Sequence, residues 1–463
     1  MTAVRLESQR SLGAGGLAGL LAAPDALVAA RAALAIGRTK DPAGEALLVA
    51  HLDDPRAAVR AMSVYGIGLI ASGDNAKALI GALSDAAGGV RVAALDAIAR
   101  YEWLSKLYSD EAAAQTAVEK TLAGDADPVI RARAATALSE FHDADPHGAA
   151  SALAKAFQTD ASPLVRWHAM WTISRGYAKL TSLQLIEGAL KDGDELVRIE
   201  AVRAIGQYKD PKLVTAVQPL LDDSSWRVQE QAGEAMLMLQ GKPLTEHLKT
   251  IASNVHVPAV QPDPLASLPA LPKPADLPAK PAKPAPDRAI LSPAIDPSTT
   301  QGMTEPAPGA HPRMRLVTTK GNVYVVLYPE WAPLTVENFM NLAAWGYFSD
   351  NRWFRIVPDF VVQTGDKTNT GDGDAGYTIG AEENPLEQRS YVISMGMDYD
   401  DKTKLPIRDS AGTQYYITLS PQLHLDKGFT VFGEVSSGFD VLGRLDESDK
   451  VLRIERIADA TLP

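Results

Sequence analysis

A motif that returns at a nearly regular interval is the feature that most limits how the first half of the chain can fold. Each copy has an Asp-containing turn, then a hydrophobic residue and an arginine, then an Ala-rich segment. The copies lie at Val59-Arg60, Val90-Arg91, Ile130-Arg131, Val165-Arg166, Val197-Arg198 and Trp226-Arg227. The intervals between successive arginines run from 29 to 40 residues. A period in this range, filled by two helices per unit, predicts an α-solenoid whose stacked units share one core.

The residues within each copy are typical of closely packed helices. Residues 201–206 place small and aliphatic side chains at helical spacing, which lets a neighbouring helix approach. Aspartates stand where helix N-termini are expected, at Asp53, Asp54, Asp127, Asp194 and Asp222. The pattern resembles HEAT or HEAT-like repeats. This resemblance implies an all-α solenoid over residues 7–252 with about seven repeats, the first of them, around residues 29–52, being atypical.

Several side chains of the repeats allow both a structural and a functional interpretation. The recurrent arginines form either a ladder for binding a partner or ion pairs with turn aspartates of the same or an adjacent repeat, and we expect the ion pairs. Three tryptophans are expected to pack inside the repeats rather than bind a partner, namely Trp167, Trp171 and Trp226. Residues 142–147 contain His and Asp, but their Asp-Pro and His-Gly pairs favour a turn between helices over a metal site.

The periodicity stops between residues 253 and 312, where proline becomes frequent. Runs such as residues 278–286 alternate proline with alanine and lysine, and cannot form helix or sheet hydrogen bonds. We therefore predict an extended polyproline linker. A second hypothesis is that its X-Pro bonds visit a site elsewhere in the chain as an autoinhibitory segment.

The composition excludes several functional classes. The net charge of −12 leaves no basic stripe for a nucleic acid, and the absence of cysteine excludes disulfides and thiolate catalysis. Pro24, Asp25 and Arg31 interrupt the apolar region 12–37, so we expect no membrane span. The Pro-rich segment, the lack of cysteine and the start at a repeat favour a bacterial envelope protein whose export signal is missing from this chain. A cytoplasmic location is the alternative.

The stretch 353–366 indicates a binding surface in the last part of the chain. Alternation along a strand places Arg355 and Val357 on one face, and Phe360 and Gln363 follow a bend at Pro358-Asp359. Arginine rarely gives up its proton, so it is a poor general base. Beside an apolar floor it is instead a fixed hydrogen-bond donor suited to an amide substrate.

This stretch resembles the active-site strand of the cyclophilin-type peptidyl-prolyl isomerases. Further segments match the family in the same order, at 335–339, 346–348, 393–396, 411–417 and 424–433. The resemblance implies that residues 313–461 form a mainly-β, eight-stranded antiparallel barrel with two helices. The whole chain is then a multidomain protein in which the HEAT-like solenoid precedes the cyclophilin-like barrel.

The resemblance also implies an activity, which is cis-trans isomerisation of X-Pro bonds in client proteins. Arg355 would be the catalytic donor, and no cofactor or metal would be needed. The implied substrate-binding residues are Phe360, Val361, Gln363, Gly396, Met397, Gln414, Tyr416, His424, Leu425 and Phe429. The solenoid would bind the client or another protein partner, and neither is identified by the sequence.

Some positions depart from the family pattern. Met397 stands where asparagine is common, Tyr416 replaces phenylalanine, and Phe429 replaces histidine. His424 stands where members that bind cyclosporin tightly carry tryptophan, so weak cyclosporin binding is expected. These departures keep open an alternative function, a scaffold that binds proline-containing peptides with little or no turnover. A third hypothesis, bilin-lyase-like activity, rests on the repeats alone.

Overall fold

The computed structural model describes residues 6–7, 9–104, 110–142, 144–241, 311–400, 402, 406–426 and 428–457. The chain divides into two compact units, Arg10–His256 and Val257–Pro463 with Met1–Gln9. The predicted linker 253–312 lies outside the described residues except for His311 and Pro312. Within the described ranges, no helix is both long enough and apolar enough to cross a membrane.

The first unit is built from α-helices that pack in consecutive pairs. In chain order they are α1 (Gly16–Leu21), α2 (Ala26–Thr39), α3 (Pro42–Val49), α4 (Ala57–Ile70), α5 (Ala76–Ala82), α6 (Gly88–Trp103), α7 (Glu111–Gly124), α8 (Pro128–Ala137), α9 (Pro146–Thr159), α10 (Pro163–Thr172), α11 (Leu183–Ala189), α12 (Glu195–Gly206), α13 (Val214–Val217) and α14 (Trp226–Leu239). The even-numbered helices stack on one another from α2 to α14, and each odd-numbered helix packs on its successor. The stacked helices come very close where glycines meet, since a Cβ on Gly37 would lie 2.5 Å from Gly66 Cα.

The recurrent arginines and turn aspartates form a series of ion pairs that we call the arginine–aspartate ladder. Each pair joins one repeat to the next: Arg60–Asp85, Arg91–Asp125 and Arg131–Asp160 at 2.7 Å, Arg198–Asp223 at 2.8 Å, and Arg166–Asp192 at 3.8 Å. The same guanidinium donates to its own turn, as from Arg131 Nη1 to the Asp125 carbonyl at 2.7 Å. The recurrent arginines therefore hold the repeats together, as the ion-pair interpretation predicted.

The sequence pattern predicts the wrong residue for the last position of the ladder. Arg227 is the second residue of α14, whereas the ladder arginines come fourth in their helices. Gln229 occupies the fourth position instead, and its Nε2 donates to the Asp223 carbonyl at 2.6 Å. Arg227 lies 3.6 Å from Glu195 on the preceding repeat.

The predicted helix caps are correct at two of the positions and wrong at the others. Asp127 and Asp194 accept hydrogen bonds from the first turns of α8 and α12. Asp53, Asp54 and Asp222 do not cap helices, because Arg56 and Ser225 are the N-cap residues of α4 and α14. Asp54 instead pairs with Arg56 at 2.7 Å, since no ladder arginine is present in α2.

The other side chains singled out in the repeats have structural contacts. Trp167 and Trp171 are buried, as predicted, and Trp226 is half-buried. His142 stacks on Tyr177 with ring centroids 5.7 Å apart. Asp145 caps α9, and Asp143 lies outside the described residues.

Where the structure describes it, the second unit is one curled antiparallel sheet with two α-helices. Its elements are β1 (Arg313–Thr318), β2 (Gly321–Leu327), α15 (Pro333–Ala344), β3 (Asn351–Arg352), β4 (Arg355–Val357), β5 (Val361–Thr364), β6 (Val392–Met395), β7 (Tyr415–Thr418), β8 (Val431–Ser437), α16 (Phe439–Leu442) and β9 (Lys450–Ile457). The strand order is β3-β9-β1-β2-β8-β6-β7-β5-β4. Aromatic side chains that include Phe339, Phe348 and Tyr415 fill the core between the sheet and α15.

The two end strands of the sheet, β3 and β4, are consecutive pieces of one segment. β3 pairs with β9 and β4 pairs with β5, so residues 351–357 join both ends of the sheet and close the barrel. Trp353 separates the two strands: its side chain is buried, and its backbone N–H donates to the Asp449 carbonyl at 3.1 Å. The predicted eight-stranded barrel is therefore observed as nine strands, of which β3 and β4 share one barrel position.

Candidate active site

The hairpin of β4 and β5 places the two central polar residues of the site on one face. Arg355 lies directly opposite Gln363 in the strand register. Arg355 Nη1 donates to Gln363 Oε1 at 3.3 Å. The turn between the strands depends on Asp359, whose φ of 51° is in the left-handed region, and on the Phe360 N–H donating to the Val357 carbonyl at 3.1 Å.

Gln363 is in turn held by a second amide. Its Nε2 donates to Gln414 Oε1 at 3.1 Å. Gln414 Nε2 donates to the carbonyls of Gly371 and Gly373 at 2.7 and 3.1 Å. A continuous hydrogen-bonded series thus runs from the loop 371–373 to the guanidinium of Arg355.

The loop 371–373 is fixed by a buried carboxylate. Asp366 accepts the backbone N–H groups of Thr368, Thr370 and Gly371 at 2.6, 2.9 and 2.7 Å. Burial by itself raises the pKa of Asp366, but hydrogen bonds from Thr368 and the loop backbone outweigh burial and lower the pKa below its usual value. Asp366 is therefore ionised at neutral pH and keeps the loop in place.

Glycine is required where β5 meets the segment that carries Gln414. Gly365 has φ +96°, and a Cβ there would lie 2.3 Å from the Thr413 carbonyl oxygen. Any other side chain would be strained and would push residues 413 and 414 away from β5. This close approach brings Gln414 within reach of Gln363.

An apolar pocket lies beside these polar groups. Its buried side chains are Val361, Tyr416, Leu425 and Phe429, and Phe360 and Met397 pack against them. The rings of Tyr416 and Phe429 meet edge to face, with centroids 5.8 Å apart. Burial raises the pKa of Tyr416 well above its ordinary value, so its hydroxyl stays neutral. The pocket therefore has an uncharged surface that a ring of a ligand can contact.

Arg355 stands at the rim of this pocket. Its guanidinium carbon is 5.3 Å from the centroid of the Phe360 ring, which is within the range of a cation–π contact. The Phe360 ring also stacks on His424, with centroids 5.9 Å apart and an interplanar angle of 15°. The Arg355 side chain itself is exposed and accessible to a bound peptide.

These residues line a groove of about 580 Å³. The predicted site residues that line it are Arg355, Phe360, Val361, Gln363, Gly396, Met397, Gln414, Tyr416, Leu425 and Phe429. His424 is not part of the groove lining, and its ring stacks on Phe360. The structure brings the predicted residues together, and their roles in a reaction stay predictions.

The groove also contains residues outside the substrate-binding set that the resemblance implied. Phe354, Asp372, Asp374, Asp398 and Tyr399 all line it. The glycine turn near 373 and the charged loop after Met397 mark this region in the sequence, but neither gives side-chain directions. Within the described parts of the chain, no three metal-ligating His, Cys, Asp or Glu side chains cluster together. Asp372, Asp374 and Asp398 add carboxylates to the groove lining.

Comparisons with known proteins agree with this architecture. Residues 313–460 match the family model described as cyclophilin type peptidyl-prolyl cis-trans isomerase, and 16–99, 76–174 and 182–261 match HEAT repeats. Peptidyl-prolyl cis-trans isomerase-like 1 of Aspergillus fumigatus is 39% identical over 132 residues, which are 28% of this chain and 78% of that protein. Peptidyl-prolyl cis-trans isomerase B of Bacillus subtilis is 38% identical over 133 residues, 28% of this chain and 87% of that protein.

A similar solved structure is a cyclophilin type isomerase from Cryptosporidium parvum, with 25% identity and a TM-score of 0.30, covering 32% of this chain and 99% of that one. The sequence matches span most of the length of the Aspergillus and Bacillus relatives. The family-model match at residues 313–460 lies within the unit that contains the groove. The chain thus belongs to the cyclophilin-type peptidyl-prolyl cis-trans isomerases, and HEAT repeats precede its isomerase domain.

Proposed function

We propose that the groove isomerises X-Pro bonds of client polypeptides with Arg355 as its catalytic donor. The observation that carries this proposal is the position of the Arg355 guanidinium, held by Gln363 at the rim of an apolar pocket. The proline ring would occupy the pocket formed by Val361, Tyr416 and Phe429. The X-Pro amide would then lie beside the guanidinium.

The chemistry needed is rotation about an amide, with no bond made or broken. The uncatalysed barrier is about 18–20 kcal/mol because resonance keeps the amide planar. A donor aimed at the prolyl nitrogen favours the twisted amide, in which that nitrogen carries a lone pair, over the planar amide. Arg355 supplies such a donor without a proton transfer, since it stays protonated. Stabilisation of the twisted state more than the planar state is what accelerates the reaction.

An isomerisation assay on an Ala-Pro peptide tests the proposal. Arg355→Ala should lower kcat/KM by about 100- to 1,000-fold, the range expected for loss of one preorganised donor. Arg352→Ala is a matched control, because Arg352 is an exposed arginine on the same segment and does not line the groove. Equal rates for wild type and Arg355→Ala would overturn the assignment. Peptide binding without turnover in the wild type would favour the scaffold function.

We also propose that the HEAT repeats bind the client protein. Exposed apolar side chains recur at one structural position, the second residue of an even-numbered helix, in Leu27, Val129 and Leu164. Their exposed fractions are 78%, 53% and 38%, which suits contact with an unfolded segment. Binding of the client there would raise the effective concentration of the isomerase domain near the client, because both domains belong to one chain.

This second proposal is tested with the full chain and a protein whose refolding is limited by prolyl isomerisation. Replacing Leu27, Val129 and Leu164 by serine should slow catalysed refolding but leave turnover of a short peptide unchanged. A matched control replaces exposed apolar residues elsewhere in the same unit, at Val49, Leu180 and Leu221. If the two triple variants refold the client at the same rate, these three side chains do not bind it.

A further inference from the structure

Tyr399 is a groove residue for which the proposed reaction has so far no role. It lies in the loop that follows Met397, and its ring packs on Phe429 with centroids 5.9 Å apart. Phe429 in turn contacts Tyr416 in the floor of the pocket. The three rings form a wall that runs from the pocket floor to the surface, with Tyr399 as its half-exposed outer member.

The loop holds Tyr399 in place through backbone contacts. Tyr399 forms an antiparallel bridge with Pro406. On its N-terminal side, the Asp398 carbonyl accepts the Ile407 N–H at 2.7 Å, and the Asp398 N–H donates to Ser410 Oγ at 2.9 Å. These contacts fix the backbone of residues 398 and 399 against residues 406, 407 and 410, so Tyr399 is presented from a defined position.

The hydroxyl of Tyr399 is free to bind a ligand. Gln363 and Gln414 use their amide N–H groups on each other and on the loop at Gly371. Ser410 donates to the Ile407 carbonyl. Among the described residues, the Tyr399 hydroxyl has no hydrogen-bond partner, and it lies close enough to Arg355 to feel its charge.

We infer that Tyr399 is a substrate-contacting residue that forms the outer wall of the proline pocket and donates a hydrogen bond to the backbone of the bound peptide. This inference rests on the proposed isomerase function of the same groove. The ring would cover one side of the substrate proline, and the hydroxyl would meet a carbonyl beside it. Both contacts are made before and during rotation of the amide, so they contribute to binding more than to the rate of the bound complex.

The test compares Tyr399→Phe and Tyr399→Ala with the wild-type full chain, using exchange NMR on an Ala-Pro-Phe peptide. Loss of the hydroxyl should raise KM by about 2- to 10-fold, and loss of the ring as well should raise it by about tenfold or more, with kcat within about twofold. Phe439→Ala is a matched control, because Phe439 is an aromatic residue of similar exposure that packs on one ring outside the groove.

The same peptide separates failure of this inference from failure of the proposed function. If Arg355→Ala abolishes turnover while Tyr399→Ala keeps the wild-type KM, the isomerase assignment stands and the role of Tyr399 is wrong. If the wild type shows no turnover, peptide Kd values from NMR titration still test the contact, and a Kd unchanged in Tyr399→Ala overturns it.

Discussion

Gln363 offers the most direct test of how the site positions Arg355. Gln363→Ala removes the only side-chain acceptor that the structure gives to Arg355 within the described residues, at 3.3 Å, and leaves Gln414 held by Gly371 and Gly373. The Arg355 side chain would then sample many rotamers instead of one orientation. The charge of the guanidinium and the Phe360 ring beside it would both remain.

The size of the effect follows from the geometry. A hydrogen bond to a charged group contributes about 1.5–3 kcal/mol, and a long bond on an exposed side chain belongs at or below the lower end. Fixing an arginine side chain costs up to about 2 kcal/mol of rotamer entropy, part of which Gln363 removes in advance. We therefore expect a loss of about 1–2 kcal/mol, or roughly 5- to 30-fold in kcat/KM. This is less than the loss expected for Arg355→Ala.

Exchange NMR on an Ala-Pro peptide measures the change, with kcat and KM determined separately. The reduction should appear mainly in kcat, because a misplaced Arg355 affects the twisted amide more than ground-state binding. Gln363→Glu is the matched variant, since it keeps an acceptor for Arg355 and should lose less activity than Gln363→Ala. A kcat/KM for Gln363→Ala within twofold of the wild type would refute this account of positioning.

The remaining predictions concern charge, the repeats and an inhibitor. Peptides with lysine near the X-Pro pair should have lower KM values than peptides with glutamate there, because Asp372 and Asp374 line the groove. The difference in KM should shrink at high salt, and equal KM values at low salt would contradict the prediction. Arg131→Ala should lower the free energy of unfolding by about 1–3 kcal/mol in denaturant titrations, since two hydrogen bonds to Asp160 are lost. The hydrogen bond from Arg131 lowers the pKa of Asp160 in the folded protein. The stabilisation by this ion pair is therefore fully present above the pKa of about 3.9 of an unfolded aspartate, and it is lost as the pH falls through the lower pKa of the folded state. The melting temperatures of wild type and Arg131→Ala should accordingly converge at acid pH. Cyclosporin should inhibit weakly because His424 replaces tryptophan, and a nanomolar inhibition constant would contradict this.

The ion pairs between repeats could be predicted from the sequence because the arginine and the turn aspartate both recur once in each copy of the motif. Arg131 and Asp160 are representative, since Asp160 lies in the turn that precedes Arg166, the arginine of the next repeat. The last repeat could not be placed in the same way. Trp226-Arg227 resembles the other hydrophobic-Arg pairs, but the buried residue that sets the phase of the helix is Val228. Burial depends on the neighbouring helix, which the dipeptide does not encode.

The candidate site was predictable where strands determine it and not where a loop does. Alternation along β4 and β5 places Arg355 and Gln363 on a common face, and the family motifs order the pocket residues. The hydrogen bond from Gln363 to Gln414 joins residues 51 positions apart, so no local sequence pattern predicts it. Tyr399 lies in a charged loop without periodicity, and its direction depends on the contact with Phe429.

The closure of the barrel by residues 351–357 has a consequence for the time at which activity can arise. β3 must pair with β9, which is synthesised after every other strand of the sheet, before the segment that leads into Arg355 is fixed at both ends. Pairing of strands so far apart in sequence is slow, because a long loop must be closed first. A nascent chain that lacks Lys450–Ile457 would therefore have completed HEAT repeats but no closed isomerase barrel. We expect such a chain to interact with other proteins before it can isomerise them.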